Sequence, residues 1–153
     1  MILLDANILI YSAVTDSAHH AHMKSWLDKK LNSSVPIGIP WPSLLAFVRV
    51  VTNPRIFSPP ASSLEAWKVV TYWLTCPSIW IPTPGKNHHA ILDKIFSEIK
   101  PTANLVPDAH LASLAVEHGL IVYSTDSDFA RFPNIRWVNP LHGNLPRGKP
   151  RGF

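Results

Sequence analysis

The sequence predicts an α/β fold built on a central, mostly parallel sheet. Three observations carry that expectation. Short apolar runs alternate along the whole chain with longer stretches of helical period, the pattern of parallel strands joined by helices. Fifteen prolines in 153 residues fall between these segments and punctuate them. A composition of 46% hydrophobic and 16% charged residues is that of a packed globule and excludes a disordered chain.

Ile2 to Leu4 reads as the first strand, followed by a short helix from Ala6 to Ala13. A second helix spans His19 to Leu31, with Met23, Trp26, Leu27 and Leu31 at helical spacing. Ile37 to Ile39 is the second strand. Pro40 and Pro42 lead into an apolar helix, Ser43 to Thr52, which stops before Asn53-Pro54 because proline pushes the preceding residue out of helical angles. Ser58 to Ala61 is a loop. Ser62, Ser63 and Glu65 supply a cap and an acidic first turn to a helix with Leu64, Trp67, Val70 and Leu74 on one face, ending near Cys76-Pro77. Ile79 to Ile81 is the third strand. Ile91, Leu92, Ile95, Phe96 and Ile99 mark the inner face of the next helix, closed by Pro101. Val106 to His118 is the clearest helix, with Pro107 and Asp108 in its first turn and Gly119 past its end. Ile121 to Tyr123 and Arg136 to Val138 complete the strands. One domain covers residues 1–141, and 142–153 read as a flexible basic tail.

The start lacks the basic segment of a secretory signal, and no apolar run is long enough to span a bilayer. Cys76 stands alone, which excludes an internal disulfide and fits a reducing compartment. A soluble, cytoplasmic protein with no membrane partner is expected. The formal charge of +4 leans mildly towards polyanions, but Arg147, Lys149 and Arg151 of the tail account for three of the four charges.

Only ten residues are acidic, so their placement is informative. Asp5 directly follows the first strand, and Asp126 comes three residues after Tyr123 at the end of another. In open parallel sheets ligands bind beyond the carboxyl ends of the strands, so both point to one crevice. Asp128 is close enough to share it, and Asp108 opens the helix feeding the Ile121 strand. Converging carboxylates repel one another, and a hard divalent cation offsets that cost; oxygen donors suit Mg²⁺ or Mn²⁺, whereas zinc recruits Cys or His. The chemistry implied is metal-assisted phosphodiester hydrolysis. Each residue also has a plain structural reading: Asp108 as a helix-start residue, and Asp126 and Asp128 as turn residues bonding their own backbone. Asp5 is harder to dismiss, because a carboxylate closing a buried strand needs a partner or a metal. Asn7 and Thr125 flank the aspartates and are expected to orient them, Asn7 having an alternative as a helix cap. His19, His20 and His22, together with His88, His89 and His110, read as surface residues rather than ligands. The six tryptophans read mostly as core, with Trp41 placed to stack on a base at the site mouth.

Met1-Ile-Leu-Leu-Asp5-Ala-Asn7, Pro107-Asp108-Ala109-His110-Leu111-Ala112 and Ser124-Thr125-Asp126-Ser127-Asp128-Phe129 resemble, in order and spacing, the signature segments of PIN-domain proteins, and among them VapC toxins of VapBC toxin–antitoxin systems. The resemblance covers residues 1–141. It implies a PIN-like α/β/α sandwich and a Mg²⁺- or Mn²⁺-dependent endoribonuclease acting on transfer or ribosomal RNA. It also implies a homodimer held off by a cognate VapB-type antitoxin. Asp5, Asp108 and Asp126 match the family's metal-binding carboxylates, and Asp128 its nearby fourth aspartate. The chain departs from the family at one point: a further acid is usual on the helix after the second strand, yet nothing between Asp28 and Glu65 is acidic, and that position falls at or beside Ala46. Ser43 and Arg49 lie three residues to either side, Ser43 as a neutral contact to water of the metal site and Arg49 as a phosphate contact, or, structurally, as a helix cap and a solvated arginine.

Two other readings compete. The missing acid supports a catalytically weak or inactive PIN fold that binds RNA or a partner without cutting. A phosphotransfer domain of the haloacid-dehalogenase kind needs a second aspartate two residues after the first, where this chain has Asn7.

Overall fold

A computed structural model describes residues 1–143. Of the basic tail expected over 142–153, residues 144–153 lie outside the described residues. The elements are β1 (Ile2–Leu4), α1 (Ala6–Ala13), α2 (His20–Leu31), β2 (Ile37–Gly38), α3 (Trp41–Val51), α4 (Ser63–Thr75), β3 (Ile79–Trp80), α5 (His88–Ile99), α6 (Leu105–His118), β4 (Ile121–Tyr123) and β5 (Arg136–Val138). A short 3-10 helix, Ser127–Arg131, joins β4 to β5 and is absent from the sequence reading. It forms because the Asp126 side chain caps it by accepting from the Asp128 N–H.

The five strands lie in the order β3-β2-β1-β4-β5, and all four pairings are parallel. The first strand of the chain is therefore the middle of the sheet. Alternation along each strand sends side chains to two cores. Ile2, Leu4, Tyr123 and Val138 join the core formed with α1 to α4. Leu3, Val122 and Trp137 join the core with α5, α6 and the 3-10 helix on the other face. The result is the α/β/α sandwich expected. At β2 the second face is filled by a proline rather than a side chain of the strand: a Cβ on Gly38 would come within 3.0 Å of Pro82 Cγ.

Helix ends follow local chemistry. α4 opens with a complete capping box, Ser62 and Glu65 exchanging hydrogen bonds. α6 stops at Gly119, whose φ of 65° is left-handed. α3 begins two residues earlier than expected, since Pro42 in its first turn is tolerated where no N–H is needed.

Four expectations are corrected. On α4 the buried face is Ala66, Val70 and Trp73, with Trp73 packed 4.9 Å from Phe47 of α3, so Leu64 and Trp67 point to solvent. Phe96 of α5 also faces out. Among the tryptophans, Trp73 and Trp137 are core and Trp26 and Trp80 are half-buried, while Trp67 joins Trp41 at the surface. His88 is not a surface residue: it is buried, and its Nε2 lies 3.1 Å from Nδ1 of His110. The physical reason is Glu117. Its carboxylate accepts the Gly85 and Asn87 N–H groups, pinning the loop before α5, and stands 3.4 Å from the other His88 nitrogen. Burial and the neighbouring His88 both lower the pKa of His110, keeping that imidazole neutral. Among the described residues, no helix is long and apolar enough to cross a membrane.

Candidate metal centre

Parallel strands put all their carboxyl ends on one edge of the sheet, and the aspartates gather where β1 and β4 end side by side. Asp5 follows β1 immediately, its N–H extending the pairing by donating to Tyr123 O at 3.1 Å. Ser124, Thr125 and Asp126 follow β4, and Asp128 lies in the 3-10 helix. Asp108 reaches the same edge from the first turn of α6.

Asp5 is held hard. Its Oδ1 accepts from the Ala6 N–H at 2.7 Å, capping α1, while its Oδ2 accepts from Asn7 Nδ2 at 2.8 Å and from Ser124 Oγ at 2.7 Å. Asn7 also donates to Ser124 Oγ at 2.9 Å, and its own Oδ1 accepts from the Thr125 N–H at 3.2 Å. The cap of α1 is thus Asp5, and Asn7 is a strut between the two strand ends. Thr125 contributes its backbone. The hydroxyl that orients the aspartates belongs to Ser124, one residue earlier, which also accepts from the Asp126 N–H at 3.0 Å. Ser124 is fully buried, and the only sequence signal for it is a hydroxyl placed directly after an apolar strand.

Oxygens of Asp108, Asp126 and Asp128 lie within 4.8 Å of one another. Asp5 is outside that trio but close enough for its charge to be felt. Burial first, and then the charges of Asp5, Asp126 and Asp128, push the Asp108 pKa up to about 7. The α6 N-terminus favours an anion there by about 0.3–1 kcal/mol, and burial together with the three neighbouring carboxylates outweighs it. Burial likewise raises the Asp5 pKa, against the lowering effect of its hydrogen bonds from Ser124 and Ala6. Among the described residues no lysine, arginine or histidine forms an ion pair with any of these four groups. An all-carboxylate donor set with uncompensated charge fits a hard divalent cation such as Mg²⁺ or Mn²⁺, and Asp108, Asp126 and Asp128 are the residues that would hold it.

That repulsion has a measurable sign. Without metal the folded protein keeps a proton on Asp108 up to about pH 7, whereas the unfolded chain, with an ordinary aspartate, has already released it near pH 4. Stability in EDTA is therefore expected to be highest near pH 4–5 and to fall as pH rises through 7. Saturating Mg²⁺ should remove the fall, since the cation favours the ionised form. Melting temperatures across this range, with and without Mg²⁺, check it; parallel curves would exclude a charged cluster.

The remaining expected residues are less engaged. Ser43 of α3 is buried, and its hydroxyl is without a hydrogen-bond partner. Arg49 lies on the solvent side of the same helix, and no ion pair holds it among the described residues. Ala46 is half-buried between them, and no acid replaces the missing one.

The model of the PIN domain matches residues 2–135. Ribonuclease VapC37 of Mycobacterium tuberculosis is 42% identical over 140 residues, 92% of this chain and 97% of that protein. Ribonuclease VapC43 of the same organism is 36% identical over 143 residues, 94% and 97% of the two chains. Among solved structures, FitAcB from Neisseria gonorrhoeae superposes with a TM-score of 0.67 at 20% identity, covering 93% of this chain and 99% of that one. VapBC2 from Rickettsia felis, bound to a DNA fragment from its promoter, gives 0.65 at 19% identity, covering 91% and 98%. These two likenesses bear on the fold alone. The match over nearly the whole folded region and the identity to named ribonucleases make this chain a member of the PIN-domain family, among the VapC ribonucleases.

Proposed function

We propose that the protein is the toxin of a type II toxin–antitoxin pair, a Mg²⁺- or Mn²⁺-dependent endoribonuclease that hydrolyses phosphodiester bonds of transfer or ribosomal RNA in the cytoplasm. The observation that carries the reading is the convergence of Asp108, Asp126 and Asp128 beside Asp5, with no lysine, arginine or histidine paired to them among the described residues. A bound divalent ion lowers the pKa of water and neutralises charge on a phosphodiester. The chain's own residues do the rest. Asp108, Asp126 and Asp128, with Asp5 beside them, would hold the ion. Asp5 adds negative charge at the base of the site, locked in place by Ser124 and Asn7. Ser43 keeps a buried hydroxyl without a hydrogen-bond partner on α3, and the exposed Arg49 of the same helix, in no ion pair among the described residues, contacts a substrate phosphate.

A VapB-type antitoxin and a second copy of the chain are the protein partners this reading requires. The neighbour from Rickettsia felis is a VapBC pair, and the exposed apolar side chains Leu64, Trp67 and Tyr72 of α4 support a protein-covered surface here. The deciding experiment is cleavage of cellular RNA by the purified protein. Products should form with Mn²⁺ or Mg²⁺ and vanish with excess EDTA. Arg49→Ala should raise KM several-fold with little change in kcat. RNA binding indifferent to EDTA, without products over long incubation, would favour the non-cutting alternative instead.

A further inference from the structure

One face of α2 carries positive charge that nothing in the metal centre uses. Residues 22, 26, 29 and 30 are spaced by four, three and one, so His22, Trp26, Lys29 and Lys30 form a ridge about 12 Å long at 1.5 Å per residue. With Ser25 and Val35 they line a shallow groove of about 430 Å³. Lys24, on another side of the helix, is paired with Asp28 at 2.8 Å. Lys29 and Lys30 have no acidic partner among the described residues. The Lys30 ammonium stands 5.7 Å over the Trp26 ring, which fixes where its charge is presented.

The His22 end of the groove lies towards the edge where the aspartates gather, and Lys29 and Lys30, in the last turn of α2, lie towards the opposite edge, where the Lys30 carbonyl accepts from the Ser33 N–H ahead of β2. The Trp26 ring packs 5.1 Å from that of Tyr123, three residues before Asp126. His22 Nε2 donates to the carbonyl of Pro140 at 3.0 Å, just beyond β5, and Asn139 Nδ2 donates to Thr125 O at 3.4 Å beside Asp126. Past Gly143 the chain continues with Arg147, Lys149 and Arg151. Residues 1–141 hold eleven basic and ten acidic side chains, so the folded part exerts little overall pull on a polyanion. Any attraction has to be local, and this groove carries two lysines with no acidic partner among the described residues, while its His22 end reaches towards the site.

We propose that the α2 groove guides single-stranded RNA to the metal centre, with Lys29 and Lys30 each holding a backbone phosphate. The assignment rests on the endoribonuclease reading for its choice of RNA, and the test separates the two. Binding of a labelled single-stranded RNA of mixed sequence is measured between 50 and 200 mM salt for the full-length protein, Lys29→Ala/Lys30→Ala, and Lys68→Ala/Lys86→Ala, which removes equal charge elsewhere. Two lost phosphate contacts should flatten the slope of log affinity against log salt by about 1.4, at about 0.7 per contact, and weaken binding at low salt by about tenfold. The control pair should change little. An unchanged slope, an equal effect of the control pair, or loss of antitoxin binding with RNA affinity intact would each overturn the proposal. Mn²⁺-dependent cleavage by the wild type is scored in parallel. Cleavage with an unchanged slope removes the groove and keeps the nuclease, whereas a flattened slope without cleavage removes the nuclease and keeps the groove.

Discussion

Asp126→Asn should abolish metal-dependent RNA cleavage, by at least about a thousandfold, while leaving the fold intact. Divalent ions contribute several kcal/mol to such reactions, and each 1.36 kcal/mol is tenfold in rate. The variant removes one of three carboxylates whose oxygens lie within 4.8 Å. Its structural duty survives: the oxygen that accepts the Asp128 N–H at 2.8 Å is present in an asparagine too, and the side chain is exposed. One repelling charge fewer also relieves Asp108 and Asp5, so in EDTA the variant should melt at or slightly above the wild-type temperature. Stopped cleavage with an unshifted melt is the required pair of results. Cleavage at the wild-type rate would remove the acid cluster as the active site.

Ser124→Ala should have the largest effect on stability of any single change at the site, about 2–4 kcal/mol, with cleavage reduced about 10–100-fold. The hydroxyl serves three groups at once: it donates to Asp5 Oδ2 and accepts from Asn7 Nδ2 and from the Asp126 N–H. Stranding a buried donor or acceptor costs about 1–3 kcal/mol, and removal of a group that orients a metal ligand costs about 10–100-fold in activity or metal affinity. Denaturant unfolding and cleavage rates test both halves. Ser124→Thr, which keeps the hydroxyl, should recover most of the activity; a loss below about 1 kcal/mol in the alanine variant would show that water replaces the hydroxyl without penalty.

The contrast between these two residues shows what a sequence of this kind discloses. Asp5, Asp108, Asp126 and Asp128 are legible because acids are scarce and because parallel strands align their ends, so a carboxylate just past an apolar run has only one crevice to enter. Ser124 is not legible, since one hydroxyl among many carries no sign of the three partners that tertiary packing brings to it. The same limit applies to α4. Its apolar residues wrap around more than one face, and which stripe is buried depends on Phe47 of α3, far away in the chain. From the sequence His88 reads as surface because it opens a helix beside another histidine; its burial follows from Glu117, on a different helix. Strand positions and helix stops, by contrast, depend on residues a few places apart and are legible in the sequence to within a residue or two.

The place of β1 at the centre of the sheet has a bearing on how the protein is made. Asp5 emerges from the ribosome among the first residues, but the hydroxyl that holds it, on Ser124, is 119 positions away. At about 5–20 residues per second, roughly 6–24 s of synthesis separate the two. Until β4 arrives, β1 lacks the neighbour that forms the catalytic edge, and Asp126 and Asp128 do not yet exist. A nascent or truncated chain that stops before Asp126 therefore has no acid cluster to hold a metal ion. Under the toxin function proposed above, the same interval is time in which a co-expressed inhibitor accumulates before the site is assembled.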